Sequence, residues 1–270
     1  MIIINGKQIS SEIIAELKSR PKQEKFIAAV LVGTDEVSAN FIKQKQKTAE
    51  ELGVDFRLYN FTEGLLNDEL REEVRKIAEH ATCGGVIVQL PLPEQINKHY
   101  ILNVIPREKD VDVLGERALG AFYAGRNPVL PPAVGTVEKI LENCELKIEN
   151  CSVAVVGLGF LIGKPVGVWL MDKAKEIILL DKFSDLSVIK NADIVISGTG
   201  KAGLIKPDML KTGAGVIDFG YSIQNGKISG DLDSSGDLSK LSFYTPTPGG
   251  TGPILVAKLF ENFYGLNGGK

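Results

Sequence analysis

The chain has 270 residues, of which 44% are hydrophobic and 24% charged, and this length is comfortable for two domains. Its net charge of −3 gives no reason to expect nucleic acid or an anionic membrane as a partner, and no apolar run is long enough to span a membrane. The N-terminus has no signal-peptide profile. The few cysteines and histidines have no metal or disulfide spacing, so we expect a cytoplasmic protein without a metal.

The first half of the chain alternates strand and helix signals, which predicts parallel strands joined by crossover helices. The apolar run at 85–90 is typical of a buried parallel strand, and proline at Pro91 and Pro93 ends it. The predicted strands are 26–32, 54–61 and 85–90, and the predicted helices are 37–52 and 67–80.

The second half restarts the pattern, with a glycine-rich turn at 157–163 between a strand and a helix, and this series is typical of a nucleotide-binding domain. A segment rich in glycine and proline, 125–132, predicts the boundary. We therefore expect an α/β protein of two domains, 1–124 and a Rossmann-like 125–250, with a C-terminal helical segment, 251–270, that packs back on the first. The predicted strands of the second half are 152–156, 177–180, 192–197 and 215–219.

Lys45 lies within an apolar helical stripe, between Phe41 one turn earlier and Ala49 one turn later. A lysine among apolar neighbours loses hydration, and its pKa falls toward the range of a proton-exchanging catalytic group. The alternative is an aliphatic stem along the stripe with its ammonium in water. The helix alone favours this alternative.

The turn at 157–163 has the context of a phosphate site at a helix N-terminus, although its G-x-G-x-x-x-G spacing is one residue longer than usual. Asp181 follows the next predicted strand, where an acid commonly binds the ribose hydroxyls of a dinucleotide. Gly198-Thr199-Gly200 follows another predicted strand, and its glycines allow a cofactor to approach the backbone. Tight turns without a ligand are the alternative at both places.

Three further segments carry polar or rigid features at places where ligands commonly bind. Gln89 ends a buried strand, and Asp110 and Asp112 flank Val111, so one carboxylate is expected to cap or pair while the other faces a pocket. The segment 245–253 contains three prolines and three glycines, which predicts a rigid loop able to hold a planar ligand at low entropic cost.

In this order along the chain, the segments resemble the bifunctional methylenetetrahydrofolate dehydrogenase/methenyltetrahydrofolate cyclohydrolase family. The most specific matches are Gln-Leu-Pro-Leu-Pro at 89–93 and P-x-P-G-G-x-G-P at 246–253, and the resemblance covers nearly the whole chain. It implies oxidation of 5,10-methylenetetrahydrofolate by a nicotinamide dinucleotide, then hydrolysis of the methenyl product to 10-formyltetrahydrofolate. By analogy, it also implies a homodimer.

The resemblance also assigns roles to residues. Lys45 is implied to relay protons, Gln89 to orient this lysine, and Asp112 to accept hydrogen bonds from the pterin amino edge. The residues implied to bind substrate are Ser38, Phe41, Leu90, Pro91, Asp110, Pro248, Gly249 and Gly250. Those implied to bind the cofactor are Gly157, Leu158, Gly159, Ile162, Gly163, Asp181, Lys182, Gly198, Thr199 and Gly200.

Several positions depart from the family pattern. Phe41 replaces a tyrosine, so we expect pterin stacking to persist and proton handling to suffer, and Val113 replaces a glycine beside the pterin loop. Leu158 replaces the arginine that commonly holds the 2′-phosphate of NADP. Asp181 would repel that phosphate, although Lys182 could offset the repulsion. The residues therefore favour NAD, whereas the family favours NADP.

Three other functions stay open at this point. The departures on the cofactor side allow a cyclohydrolase with weak or absent dehydrogenase activity. A non-catalytic folate or nucleotide sensor is the second, and Lys45, Gln89 and Asp112 argue against it. The third is an amino-acid or shikimate-type dehydrogenase with the same two-domain plan, which the segment 89–93 disfavours.

Overall fold

The computed structural model describes residues 1–224 and 226–268. Within these residues, the strands are β1 Ile2–Ile3, β2 Phe26–Val32, β3 Phe56–Phe61, β4 Cys83–Val88, β5 Ser152–Val156, β6 Glu176–Leu180, β7 Ile194–Ser197, β8 Gly215–Asp218, β9 Ser222–Gln224, β10 Lys227–Ser229 and β11 Phe243–Tyr244. The α-helices are α1 Gly6–Ser19, α2 Glu36–Leu52, α3 Asn67–Glu79, α4 Lys98–Leu102, α5 Glu116–Tyr123, α6 Pro132–Asn143, α7 Gly163–Leu170 and α8 Thr251–Asn267.

The chain divides into two compact units. Unit A contains residues 11–132 and the described residues from 256 onward, and unit B contains residues 1–10 and 133–255. The boundary predicted from the sequence places 1–10 in the first domain and 125–132 in the second. Residues 1–10 instead group with unit B because β1 pairs with β11 there, and residues 125–132 group with unit A.

Unit A is built on a three-stranded parallel sheet of order β3-β2-β4. Every residue of β2 and β4 is buried, as expected for apolar runs in a parallel sheet. Helix α3 buries Leu70, Val74 and Ile77, which lie on one face at i, i+4 and i+7, and most of its charged residues lie on the other faces. Hydrophobic burial on these faces fixes the strand ends that carry the polar residues of unit A.

Unit B is built on a six-stranded parallel sheet of order β1-β11-β8-β7-β5-β6. Its core under the sheet contains Ala154, Val195 and Val216, one from each of the central strands. A separate antiparallel hairpin, β9 with β10, follows β8. The sheet places the carboxyl ends of β5, β7 and β8 side by side, where open α/β sheets bind ligands.

The predicted α/β architecture is confirmed, with shifts at element ends. The second strand begins at Phe56 rather than at Val54, because Gly53 adopts a left-handed conformation and the Val54 N–H still bonds the Ala49 carbonyl oxygen. The final helix ends at Asn267, and residues 269–270 of the predicted C-terminal segment lie outside the described residues. Among the described residues, no helix combines the length and apolar character that a membrane crossing requires.

We predict that Phe260→Ala lowers the free energy of unfolding by about 3–5 kcal/mol, because this ring on α8 is 0% exposed and its loss leaves a cavity. Phe183→Ala is the matched control, since that ring is 90% exposed, and its effect should stay within about 0.5 kcal/mol. Urea denaturation of both variants measures the difference. Equal losses would show that Phe260 does not support the core.

Candidate active site

Helix α2 presents Lys45 on a face that is otherwise largely buried. Asp35 caps the helix by accepting a hydrogen bond from the Ser38 N–H at 2.7 Å, and this fixes where the first turn begins. Ser38, Ile42 and Ala49 are buried, whereas Lys45 is half-buried. Lys45 therefore lies within the largely buried face of the helix.

The Lys45 amine is held by the amide that ends β4. Lys45 Nζ donates a hydrogen bond to Gln89 Oε1 at 2.9 Å. Gln89 Nε2 donates in turn to the Leu90 carbonyl oxygen at 2.8 Å, and this fixes which end of the amide faces the lysine. Because the Gln89 N–H also bonds Val30 of the neighbouring strand, the sheet itself positions the acceptor.

Asp112 supplies a negative charge near Lys45. Val86 and Asp110 form an isolated parallel bridge, so the chain after Asp110 runs beside the end of β4, toward Gln89. Burial lowers the pKa of Lys45, and the Asp112 carboxylate partly opposes this shift. Burial raises the pKa of Asp112, and the Lys45 ammonium partly opposes that one. Burial thus favours the neutral form of each group, and their mutual attraction favours the charged forms.

The structure encloses Asp110, which the resemblance had assigned to substrate binding. Its carboxylate is 2% exposed and accepts hydrogen bonds from the Leu114 N–H at 3.0 Å and the Gly115 N–H at 2.7 Å. Burial raises its pKa to about 6, and these N–H groups oppose the rise. Asp110 therefore fixes the loop that carries Asp112, and an enclosed carboxylate of this kind does not fit a substrate ligand.

The loop that carries Asp112 has Val113 where the family pattern has a glycine. Val113 takes a φ of 57°, in the left-handed region that glycine favours, and its side chain is buried. Asn262 of α8 donates from Nδ2 to the Val111 carbonyl oxygen at 2.8 Å. No sequence signal points to Asn262, since a lone amide in an apolar helix has no characteristic spacing.

The other residues predicted to bind substrate in unit A lie near the lysine in the fold. Ser38 and Phe41 precede Lys45 on α2 by two turns and one turn, and Phe41 is half-buried. Leu90 and Pro91 follow Gln89 directly. The fold thus brings these four residues to the amine, and their contact with a substrate stays a prediction.

In unit B, the glycine turn follows β5 at the point where the strand order reverses. The chain leaves β5 through α7 to β6 on one side, and β7 lies on the other side. Gly157 has a φ of 88°, and a Cβ on Gly163 would overlap the Gly157 carbonyl oxygen. Only glycine fits this close turn, which brings the N-terminus of α7 up to the strand end, where a diphosphate binds in such sheets.

The segment 198–200 packs directly against this turn. A Cβ on Gly157 would lie 2.9 Å from Thr199 Cγ2, and a Cβ on Gly198 would lie 2.9 Å from Ile162 Cγ2. Gly198 also donates its N–H to the Val156 carbonyl oxygen at 3.0 Å. The structure thus brings two segments that were predicted separately into one strand-end surface, and Leu158 and Gly159 lie on the same turn.

Asp181 lies at the end of β6, next to the glycine turn, because the Gly157 N–H bonds the Leu180 carbonyl oxygen at 2.8 Å. Asp181 Oδ1 accepts from the Lys182 N–H at 2.9 Å, and the side chain is exposed. The Lys182 ammonium lies 4.8 Å from the centre of the Phe183 ring. This strand end therefore carries an exposed carboxylate, and its contact with a ribose stays a prediction.

The rigid loop at 245–253 joins β11 to α8 in unit B. The Asp218 N–H donates to Thr245 Oγ1 at 2.7 Å, and Thr251 Oγ1 donates to the Asp218 carbonyl oxygen at 2.9 Å. Both ends of the loop are therefore tied to the end of β8. Pro248, Gly249 and Gly250 lie between these ties, and their contact with substrate stays a prediction.

Sequence reasoning missed two buried aspartates of unit B, Asp218 and Asp231. Asp218 accepts from the Gly220 N–H at 2.6 Å and the Leu232 N–H at 2.9 Å, and burial raises its pKa to about 6. It also lines a cavity of about 590 Å³ beneath the β9–β10 hairpin. An Asp at the end of an apolar strand was the only available signal, and this signal also fits a solvated turn.

The comparisons with known proteins agree with both units. Residues 4–112 match the family described as tetrahydrofolate dehydrogenase/cyclohydrolase, catalytic domain, and residues 131–267 match the NAD(P)-binding domain of the same family. A relative called bifunctional protein FolD, from Clostridium botulinum, is 34% identical over 269 residues, which cover 96% of this chain and 95% of the relative.

Solved structures give the same result. The bifunctional methylenetetrahydrofolate dehydrogenase/cyclohydrolase from Campylobacter jejuni has a TM-score of 0.92 and 32% identity, covering 97% of each chain. The Trypanosoma brucei enzyme, solved with NADP cofactor and an inhibitor, has a TM-score of 0.92 and 27% identity, covering 98% of this chain and 96% of that one. The chain belongs to the tetrahydrofolate dehydrogenase/cyclohydrolase family.

Proposed function

We propose that Lys45 is the proton-relay group of a bifunctional folate enzyme. The chain oxidises 5,10-methylenetetrahydrofolate to 5,10-methenyltetrahydrofolate with a nicotinamide dinucleotide and hydrolyses the product to 10-formyltetrahydrofolate. The observation that carries the role of Lys45 is the hydrogen bond from its amine to Gln89, together with the lowering of its pKa by burial. Family membership sets aside the shikimate-type alternative.

In the hydrolysis, water attacks the methenyl carbon, and a proton must leave this water while a ring nitrogen gains one. A neutral Lys45 amine accepts the proton from water, and the resulting ammonium returns it to the folate nitrogen as the ring opens. Gln89 keeps the amine aimed through its acceptor oxygen at 2.9 Å. Lys45 thus carries one proton of the water to the ring nitrogen, and the second proton leaves to solvent as the formyl C=O forms, so the hydrolysis of the cation releases one proton overall.

Asp112 has two roles in this proposal. Its carboxylate accepts hydrogen bonds from the pterin amino edge, where two donors match two oxygens. Its charge also restrains the fall of the Lys45 pKa, so that the ammonium needed for the return of the proton exists. Phe41, one turn before Lys45, offers a stacking face without the family's hydroxyl, so proton transfer depends on the lysine alone.

The residues of unit B fit a dinucleotide, because Gly157 and Gly163 let the turn pack closely enough to place the N-terminus of α7 at the end of β5. The turn at 157–163 and the segment 198–200 would hold the diphosphate, and Asp181 would accept from the ribose hydroxyls. When bound, the nicotinamide supplies the acceptor for the hydride that leaves the methylene carbon.

We further propose that NAD is the preferred dinucleotide. Asp181 presents a negative charge at the ribose, and a 2′-phosphate there would be repelled. Leu158 offers no cation in place of the family's arginine, and the Lys182 ammonium lies against Phe183. Family membership by itself favours NADP. Cytoplasmic residence and a homodimer stay predictions.

A spectrophotometric assay with methylenetetrahydrofolate and each dinucleotide tests the proposal. Reduction of NAD or NADP, followed by conversion of the methenyl product, supports the bifunctional enzyme. Hydrolysis of methenyltetrahydrofolate without reduction of either dinucleotide would favour a cyclohydrolase that has lost its dehydrogenase. Binding without either reaction would leave a folate or nucleotide sensor.

We predict that Lys45→Met lowers cyclohydrolase turnover by at least about 100-fold, because a thioether cannot exchange protons. Tetrahydrofolate binding, measured by calorimetry, should be largely retained. Lys43→Met on the exposed side of α2 is the matched control and should hydrolyse methenyltetrahydrofolate at the parent rate. Parent-like turnover in Lys45→Met would remove the lysine from the mechanism.

We predict that Asp112→Asn moves the rising part of the cyclohydrolase kcat–pH profile to lower pH. The Asp112 carboxylate favours the ammonium form of Lys45, so its removal lowers the pKa of the amine further. Asp181→Ser, in unit B, serves as the control and should leave this profile in place. A shift to higher pH, or none, would show that the two charges are not coupled.

We predict that Asp181→Ser raises the kcat/KM ratio of NADP to NAD by about tenfold, the effect of removing one repulsive contact with a phosphate. Asp185→Ser is the control, because this nearby carboxylate already accepts hydrogen bonds from the Ser187 N–H and hydroxyl. Initial rates with both dinucleotides give the ratio. An unchanged ratio would place Asp181 away from the ribose.

A further inference from the structure

Asp231 is a fully enclosed carboxylate that lies outside the residues assigned to substrate or cofactor. It is 0% exposed and follows the β9–β10 hairpin through Gly230. Its carbonyl oxygen accepts from the Ile205 N–H at 2.9 Å, which fixes its backbone to a neighbouring segment. A buried carboxylate is costly unless donors surround it, so its partners indicate what it is for.

All three partners of this carboxylate lie at the end of β7 or on the segment that follows it. Asp231 Oδ2 accepts from Ser197 Oγ at 2.5 Å and from the Thr199 N–H at 2.6 Å. Asp231 Oδ1 accepts from the Lys201 N–H at 2.8 Å. The two oxygens therefore hold the chain on both sides of Gly200, whose φ of 69° makes the turn.

This segment is the one that packs against the glycine turn. Thr199 Cγ2 and the Gly198 backbone lie against Gly157, and Gly198 lies against Ile162. A displacement of 198–200 by a few tenths of an ångström would therefore change the surface on which a dinucleotide lies. The bond from the Gly198 N–H to the Val156 carbonyl oxygen holds the start of this segment, but β7 ends at Ser197, so Thr199 and Gly200 lie beyond the strand pairing.

We infer that Asp231 is a positioning residue of the dinucleotide site. Its carboxylate holds the segment 198–200 in the position that the cofactor requires. The inference rests on the proposed cofactor site in unit B. Asparagine cannot replace the aspartate, because its NH₂ group must face either the Thr199 N–H or the Lys201 N–H, a donor against a donor. The carboxylate touches no reacting atom in this assignment.

The test uses the two activities of the full-length enzyme. In Asp231→Asn, the KM for the dinucleotide should rise by about tenfold or more, the effect of losing charge-assisted hydrogen bonds to the segment. Cyclohydrolase turnover needs no dinucleotide and uses Lys45 of unit A, so it should be unchanged in the same preparation. Ser197→Ala removes one of the three donors and should give a smaller rise.

Asp233→Asn is the matched control, because this carboxylate caps Ser235 and makes no hydrogen bond to 197–201 within the described part of the chain. It should leave the dinucleotide KM at the parent value. An unchanged KM in Asp231→Asn, or equal losses of both activities, would overturn the positioning role. If Asp231→Asn does not fold, Ser197→Ala decides alone, and a parent-like KM would overturn the inference.

Failure of the underlying proposal would look different. If the parent enzyme reduced neither NAD nor NADP while hydrolysing methenyltetrahydrofolate, the cofactor site itself would be wrong. If the parent enzyme reduced a dinucleotide and Asp231→Asn matched it in KM, only the role of Asp231 would be wrong.

Discussion

In the proposed mechanism, the balance between burial and charge at Lys45 determines whether unit A can relay a proton. A fully apolar surrounding would leave an amine that holds no proton to return, and a close ion pair would leave an ammonium that cannot accept one. At Lys45, burial lowers the pKa and the Asp112 carboxylate restrains the fall. Gln89 is uncharged, so it fixes the nitrogen without favouring either form strongly. The environment of Lys45 therefore depends on two separate elements, which are the strand end that carries Gln89 and the loop that carries Asp112.

Two departures from the family pattern bear on this balance differently. Phe41 offers no hydroxyl one turn before Lys45, whose amine is hydrogen-bonded to Gln89 and lies in the field of Asp112. Val113 adopts a φ of 57°, which a glycine would adopt without strain, so the loop keeps a glycine-like conformation at this position. A β-branched residue is uncommon in this region. Its burial and the hydrogen bonds of Asp110 to the following N–H groups stabilise a conformation that the residue itself disfavours.

The sequence predicted the strands that are buried on both faces and the helix that carries Lys45, because periodicity and apolar runs report burial directly. It also predicted that the segments 157–163 and 198–200 follow strand ends, since parallel strands place their carboxyl ends on one edge, and the ligand at these ends stays a prediction. It did not predict the short hairpin β9–β10 or the partners of Asp110 and Asp231. The contact of Asp231 with Thr199 joins residues far apart in the chain, so no local pattern marks it. The partners of Asp110 are only four and five residues away, but two aspartates around a valine do not indicate which carboxylate turns back onto the chain. For the same reason, the sequence could not separate Asp110 as a loop anchor from Asp110 as a substrate contact.

Buried aspartates solve one structural problem in both units. Loops beyond the ends of parallel strands leave the ladder, so their N–H groups need other acceptors. A carboxylate offers two oxygens and bonds N–H groups more strongly than a neutral acceptor does. Asp110 does this for the loop of Asp112, and Asp231 does it for 198–200. The donors to these carboxylates are backbone N–H groups and, at Asp231, the Ser197 hydroxyl, so neutral groups rather than cations hold the two loops. In the proposed sites, one loop held in this way presents the Asp112 carboxylate to the pterin, and the other presents a glycine backbone to the dinucleotide.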